Sequence, residues 1–163
     1  MLSKLQSIVQ TTIAIVLAGS AFGVCAQALP YGAPISIENA KQASAAALAE
    51  AKKNKWTMAV AITDSAGFLV YFERMDGTQN AAPEVASAKA RSAAIFKRPT
   101  KAFQDDVAAG GLGLRYLSLP GVIAADGGVP LVIDGKIVGA IGVSGGSGVQ
   151  DGQVAVAGAA GFK

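Results

Sequence analysis

Residues with chemistry to offer gather in three parts of this chain. The first is the run DGGVPLVIDGKIVGAIGVSGGSG at positions 126–148. It sets a carboxylate, Asp126, ahead of Gly127 and Gly128, and ends in a loop, Ser144-Gly145-Gly146, leading toward a final helix. Backbone without Cβ atoms lets a ligand approach closely, and amides ahead of a helix favour an anion. As an enzyme site this set offers one general base, Asp126, with N–H donors for a developing negative charge. The same glycines also suit plain turns. The second part is a run of cations, Lys89, Arg91, Lys97, Arg98 and Lys101, within and just after one helix. They suit a ligand carboxylate, or a solvated face with Glu84, Asp105 and Asp106 as partners. The third is Glu73 with Asp76, three positions apart: either an exposed acidic turn or a pair of hard oxygen donors fit for a ferric ion.

What the chain lacks is as informative. There is no histidine, which excludes a Ser-His-Asp hydrolase, a His-ligated zinc site and a His-ligated haem. The single cysteine, Cys25, lies in the N-terminal segment, so the rest of the chain offers neither thiolate ligand nor disulfide. The loop at 144–148 has neither the Lys-Ser/Thr ending of a phosphate-binding loop nor the dinucleotide glycine spacing. A net charge of +3 is too small an imbalance to argue for nucleic acid.

Residues 1–28 read as a secretory signal peptide. Lys4 gives the positive start, an apolar stretch follows, and Ala26-Gln27-Ala28 forms the small-x-small cleavage site. The expectation is a periplasmic or secreted protein of residues 29–163, one domain, with no membrane association after cleavage. No segment reaches the roughly 18–20 apolar residues of a membrane span. The apolar share, 52% of the whole chain, favours a homo-oligomer with buried faces.

The elements that must position these residues follow from periodicity and punctuation. An extended arm with Pro30, Gly32 and Pro34 precedes a helix from about Ser36 to Lys53, rich in Ala, Leu, Glu and Lys. Strands at 56–63 and 68–72 flank the turn Asp64-Ser65-Ala66-Gly67. A helix opens near Pro83 and Glu84 and runs to about Phe96. Pro99 stops it, and Thr100 suits the cap of a short helix ending before Gly110-Gly111. Strands at 129–133 and 137–143 form a hairpin about Asp134-Gly135, the composition of a primed turn. A further strand is expected near 122–125, and a terminal helix at 151–160. Hairpins without strand-helix-strand crossovers imply an α+β fold, an antiparallel sheet with helices packed on it.

These pieces resemble the GlcG/HbpS family of small haem-binding or haem-degrading domains, related to the C-terminal domain of PduO-type corrinoid adenosyltransferases. The matching segments are AVAITD at 59–64 with Gly67, EVASAKA at 84–90, Phe96 with Pro99-Thr100, GGVP at 127–130, Gly135 with VGAIGVSG at 138–145, and Gln150-Asp151. They keep the family's order and cover nearly all of residues 29–163. One departure stands out: Gly152 follows Asp151 where many relatives carry an acidic residue.

The resemblance implies a profilin-like α-β-α sandwich with a central antiparallel sheet, assembled into dimers or larger oligomers, and a tetrapyrrole or other small-molecule ligand. With haem as cofactor and no histidine, the iron must take an oxygen, thioether or amine ligand, or bind weakly without a strong protein ligand. The family's Pro-Thr motif puts Thr100 first. Tyr116 offers a phenolate and Met75 a thioether, each also at home as a packing or loop residue. Lys89, Arg98 and Lys101 then suit haem propionates, Gly127, Gly128, Ser144 and Gly145 line a cleft at one end of the sheet, and Glu73 with Asp76 is a candidate iron site. The function expected is an exported haem-binding protein serving haem capture, storage or slow degradation. The alternative is a periplasmic enzyme or accessory protein for a small organic acid, holding its carboxylate through the Gly-rich loop and the basic residues.

Overall fold

The computed structural model describes residues 28–162, so all but the last residue of the expected signal peptide lies outside the described residues. Four helices and four strands run α1 (Ile37–Lys53), β1 (Ala59–Asp64), β2 (Leu69–Arg74), α2 (Ala82–Ile95), α3 (Thr100–Ala109), β3 (Gly128–Ile133), β4 (Lys136–Ser144) and α4 (Gly148–Ala160). A 3-10 helix, Gly111–Ser118, follows α3. The strands form one fully antiparallel sheet in the order β2-β1-β4-β3. The two hairpins therefore lie side by side, joined through their inner strands.

Alternation along β1 and β4 splits the core into two layers. Val60, Ile62, Ile141 and Val143 join Ala43, Ala47, Leu48, Val154 and Ala155 of α1 and α4 in one cluster. Ala59 and Ala61 face the other way, against Ala82, Ala86 and Ala90 of α2. This is the expected α-β-α sandwich. The second layer is built from very small residues because α2 lies almost on the sheet. A Cβ at Gly142 would overlap the Ala86 carbonyl oxygen, and one at Gly128 would come within 2.5 Å of the Lys89 carbonyl oxygen.

Local signals explain most boundaries. Asp134 and Gly135 have φ of 49° and 71°, the positive pair that a type I′ hairpin turn requires. Asp64 closes the other hairpin by accepting the Ala66 and Phe68 amides, both at 2.9 Å. Ser36 caps α1 by accepting the Asn39 amide at 3.1 Å.

Three expectations change. Residues 122–125 form no strand; the segment is a loop whose Ile123 amide donates to Ser92 Oγ at 3.1 Å. Helix α4 begins at Gly148, three positions earlier than expected, because Ser147 and Gln150 form a capping box. Thr100 is the first residue of α3 and not its cap: Pro99 holds that position, and the Thr100 hydroxyl points inward.

Gly142→Ala is expected to cost at least about 3 kcal/mol, since its methyl would meet helix backbone that has no room to retreat. Gly148→Ala, where a methyl meets nothing closer than 3.6 Å, is expected to change stability little. Urea unfolding of the two variants beside the parent checks both.

Candidate functional site

The Gly-rich run and the basic helix meet, but in the interior. Lys89, on the inner face of α2, crosses to the end of β4. Its ammonium donates to Asp151 Oδ2 at 2.7 Å and to the Val143 carbonyl at 3.1 Å. The two charged side chains are only 3% and 4% exposed. Asp151, in the first turn of α4, accepts the Gly146 amide on its other oxygen at 2.9 Å. Gly127, with φ of 119°, passes directly over the pair, and a Cβ there would lie 3.0 Å from the Lys89 nitrogen and 2.8 Å from the Asp151 Cβ. Its carbonyl accepts the Val143 amide at 2.8 Å, and the next amide, of Gly128, donates to Thr100 Oγ1 at 2.8 Å.

This arrangement answers what the loop amides bind. The anion at the head of α4 is the protein's own Asp151, and the Ser147 amide is taken by Gln150 at 2.8 Å. Lys89 and Thr100, expected to reach a ligand, are buried and engaged with protein partners. Ser144 is 4% exposed at the end of β4, and Gly145 packs against the backbone of Thr57 and Met58. Burial pushes the Asp151 carboxyl above its ordinary value of 3.8, against the hydrogen bonds from Lys89 and Gly146 that pull it down. The folded chain therefore takes up this proton at a higher pH than the unfolded chain.

Of the hollows outside this knot, two lie on either side of α3. One is a hollow of about 400 Å³ between α3 and the 3-10 helix, lined by Asp106, Gly110, Leu112, Arg115 and Tyr116. The Tyr116 ring stands edge-on to buried Phe103, with centroids 5.0 Å apart. Its hydroxyl accepts from Arg115 at 3.2 Å and from Arg98 at 3.3 Å, while Arg98 also pairs with Asp106 at 2.8 Å. The hydrogen bond from Arg115, aided by that from Arg98, holds the phenol below its ordinary value of 10. Around it Leu112, Leu114 and Leu117 are 85%, 51% and 68% exposed. Sequence reasoning named Tyr116 and Arg98 separately; Arg115, beside the tyrosine, was the part it missed.

The other surface is a cleft of about 490 Å³ between α3, β3 and α4, bordered by Pro99, Lys101, Asp126, Val129, Val149 and Val156. Asp126 Oδ1 accepts the Gly127 amide at 2.7 Å. The carboxylate stands against Gly152, where any Cβ would overlap it. Lys101 is held by Asp105 at 2.7 Å. The acidic pair and Met75 belong to neither surface. Glu73 is the penultimate residue of β2 instead of lying in the turn after it, and accepts from the Tyr71 hydroxyl at 3.0 Å; Asp76 is exposed in the following turn. Among the described residues no three His, Cys, Asp or Glu side chains converge as a metal site would need. Met75 packs against the main core.

A four-stranded antiparallel sheet between helical layers, with a buried Lys-Asp pair at its end, makes this a small α+β domain, similar in fold to the solved Klebsiella pneumoniae protein ORFY with a TM-score of 0.73 and 27% identity over 80% of this chain and 92% of that one. The chain belongs to the family described as haem degrading protein HbpS-like, which it matches over residues 35–160. It is 40% identical to protein GlcG of Escherichia coli K12 over 110 residues, 68% of this chain and 81% of GlcG. Its fold is similar to PduOC solved as a haem complex, with a TM-score of 0.72 and 30% identity over 80% of this chain and 96% of that one. A double mutant of Streptomyces reticuli HbpS gives a TM-score of 0.72 and 32% identity, covering 81% of this chain and 89% of that one.

Removing one partner of the buried pair strands the other. Lys89→Met and Asp151→Leu are each expected to cost about 3–5 kcal/mol, and the double variant to regain most of that loss. Urea unfolding across the cycle checks it.

Proposed function

We propose that this chain is a haem-binding protein that takes the iron through the Tyr116 phenol. The observation that carries the reading is the pair of guanidinium groups on that hydroxyl, which favours the phenolate an iron would need at lower pH than an ordinary tyrosine allows. The phenol lines a hollow whose neighbouring segment exposes three leucines, an apolar surface suited to a macrocycle. Tyrosine is an established haem ligand where histidine is absent. Arg115, outside any ion pair among the described residues, is placed for a propionate, whereas Arg98 is committed to Asp106. A bound haem would supply a redox-active iron. The chain's own part is to hold the phenolate, bind the acidic edge and shield the macrocycle. Family membership and the haem complex of PduOC support the same ligand.

We further propose that the protein acts beyond the cytoplasmic membrane, as residues 1–28 suggest, and as a homo-oligomer, in haem capture or storage. The small-acid reading gains nothing from the site, because the loop amides that were to hold the carboxylate hold Asp151 and the α4 capping box instead.

Haem titration of the purified protein, followed by Soret absorbance, tests this reading. Saturable binding is expected, with Tyr116→Phe weakening it at least about tenfold and abolishing the phenolate-to-iron charge-transfer band. Because the phenol's value is lowered by Arg115, Arg115→Gln should move the appearance of that band to higher pH. Thr100→Ala should cost about 1 kcal/mol of stability through the lost Gly128 hydrogen bond while leaving the Soret spectrum as it was. Parent-like spectra from Tyr116→Phe would end the tyrosinate assignment.

A further inference from the structure

The cleft between α3, β3 and α4 plays no part in the haem reading, and its chemistry differs from that of the tyrosine hollow. Val149 and Val156 stand seven positions apart on one face of α4, 78% and 59% exposed, and with Pro99 and Val129 they make the walls apolar. Two further polar side chains at its border are already engaged: Lys101 Nζ by both oxygens of Asp105 at 2.8 and 2.7 Å, and Gln153 Nε2 by Glu50 at 2.7 Å. Asp126 is the exception. Its Oδ1 accepts the Gly127 amide, but its Oδ2 accepts no hydrogen bond from the described residues, and no cation among them pairs with it.

Placement makes that carboxylate unusual. Gly152 has no side chain, and the Asp126 carboxylate occupies the space a Cβ would take, so the charge is set against the flank of α4 between the valines. The Asp105 hydrogen bond chiefly raises Lys101 and burial chiefly raises Asp151, and the Asp126 charge adds to both in the same direction. A hydrocarbon-walled cleft with one carboxylate outside any ion pair among the described residues complements a ligand with an apolar body and a positive, hydrogen-donating head. A carboxylate ligand would meet Asp126 as a like charge.

We propose that this cleft binds a small amphiphilic amine, with its ammonium on Asp126 Oδ2 and its hydrocarbon part against Val129, Val149 and Val156. Asp126 is the specificity-determining residue, and Gly152 the residue that makes room for it. The site is separate from Tyr116 and does not depend on haem.

The test uses n-hexylammonium, hexanoate and 1-hexanol as probes with the purified protein, following the methyl resonances of Val129, Val149 and Val156. Hexylammonium is expected to saturate and shift all three, hexanoate to leave them unmoved, and hexanol to bind more weakly than the amine. Asp126→Asn keeps the oxygen that accepts the Gly127 amide while removing the charge, and should weaken hexylammonium about tenfold, to the level of hexanol. Hexanoate or hexanol binding as tightly as the amine, an Asp126→Asn variant with undiminished amine affinity, or no response to any probe would each overturn the proposal. Haem titrations separate it from the tyrosinate reading: Asp126→Asn should keep the parent's Soret response, and Tyr116→Phe the parent's amine affinity. A haem response lost in Asp126→Asn would overturn the independence of the two sites.

Discussion

One buried ion pair organises this domain. Lys89 and Asp151 come from opposite helical layers, and they meet past the end of the inner strand β4. Taking both charges out of water is expensive, and the cost falls as the remaining donors and acceptors find partners. The neighbouring backbone supplies two. The Val143 carbonyl takes one ammonium hydrogen, and the Gly146 amide fills the second carboxylate oxygen. The Gly-Gly turn at 127–128 closes over the pair because any side chain at Gly127 would press on the lysine nitrogen. Sequence features that look like ligand-binding machinery are thus, in large part, the means of keeping one internal charge pair dry.

The same constraint explains the smallness of the second core layer. For Lys89 to reach from α2 to the end of β4, the helix must lie close to that strand, and Ala86, Ala90 and Gly142 allow it. Larger side chains would lift the helix, lengthen the path to Asp151 and admit water to the charges. Alanine-rich packing and the ion pair are two sides of one geometric condition. The main hydrophobic layer, with Leu48, Ile62, Ile141 and Val154, lies on the other face, where no such limit applies.

How far the sequence disclosed this depends on the range of each signal. Short-range signals read well: Asp134-Gly135 specified its turn, Pro83 the opening of α2, and Pro99 the break before α3. The Ser147-x-x-Gln150 box was equally legible and would have moved the start of α4 to Gly148. Residues 122–125 had strand-like composition, yet the segment is held by Ser92 from another element, which local propensity does not register. The site was less legible for a related reason. Lys89 and Asp151 are 62 positions apart, and Arg98 and Tyr116 are 18 apart. Nothing local distinguishes a lysine turned inward from its neighbours along a basic helix. Residue types at the site were identified; their partners required the fold.

Helix α3 then decides where unspent charge remains. It carries Asp105 and Asp106 side by side, and these neutralise one cation on each flank, Lys101 toward the cleft and Arg98 toward the tyrosine hollow. With those pairs closed, the tyrosine side keeps Arg115, which bears on the phenol and favours its anion. The cleft side keeps Asp126, a carboxylate between valines. In a chain without histidine, two adjacent aspartates on one helix thus leave its two flanks with opposite electrostatic character. One flank suits an acidic, metal-bearing macrocycle and the other a cationic amphiphile, while the buried pair beneath holds fixed the loop that presents Asp126.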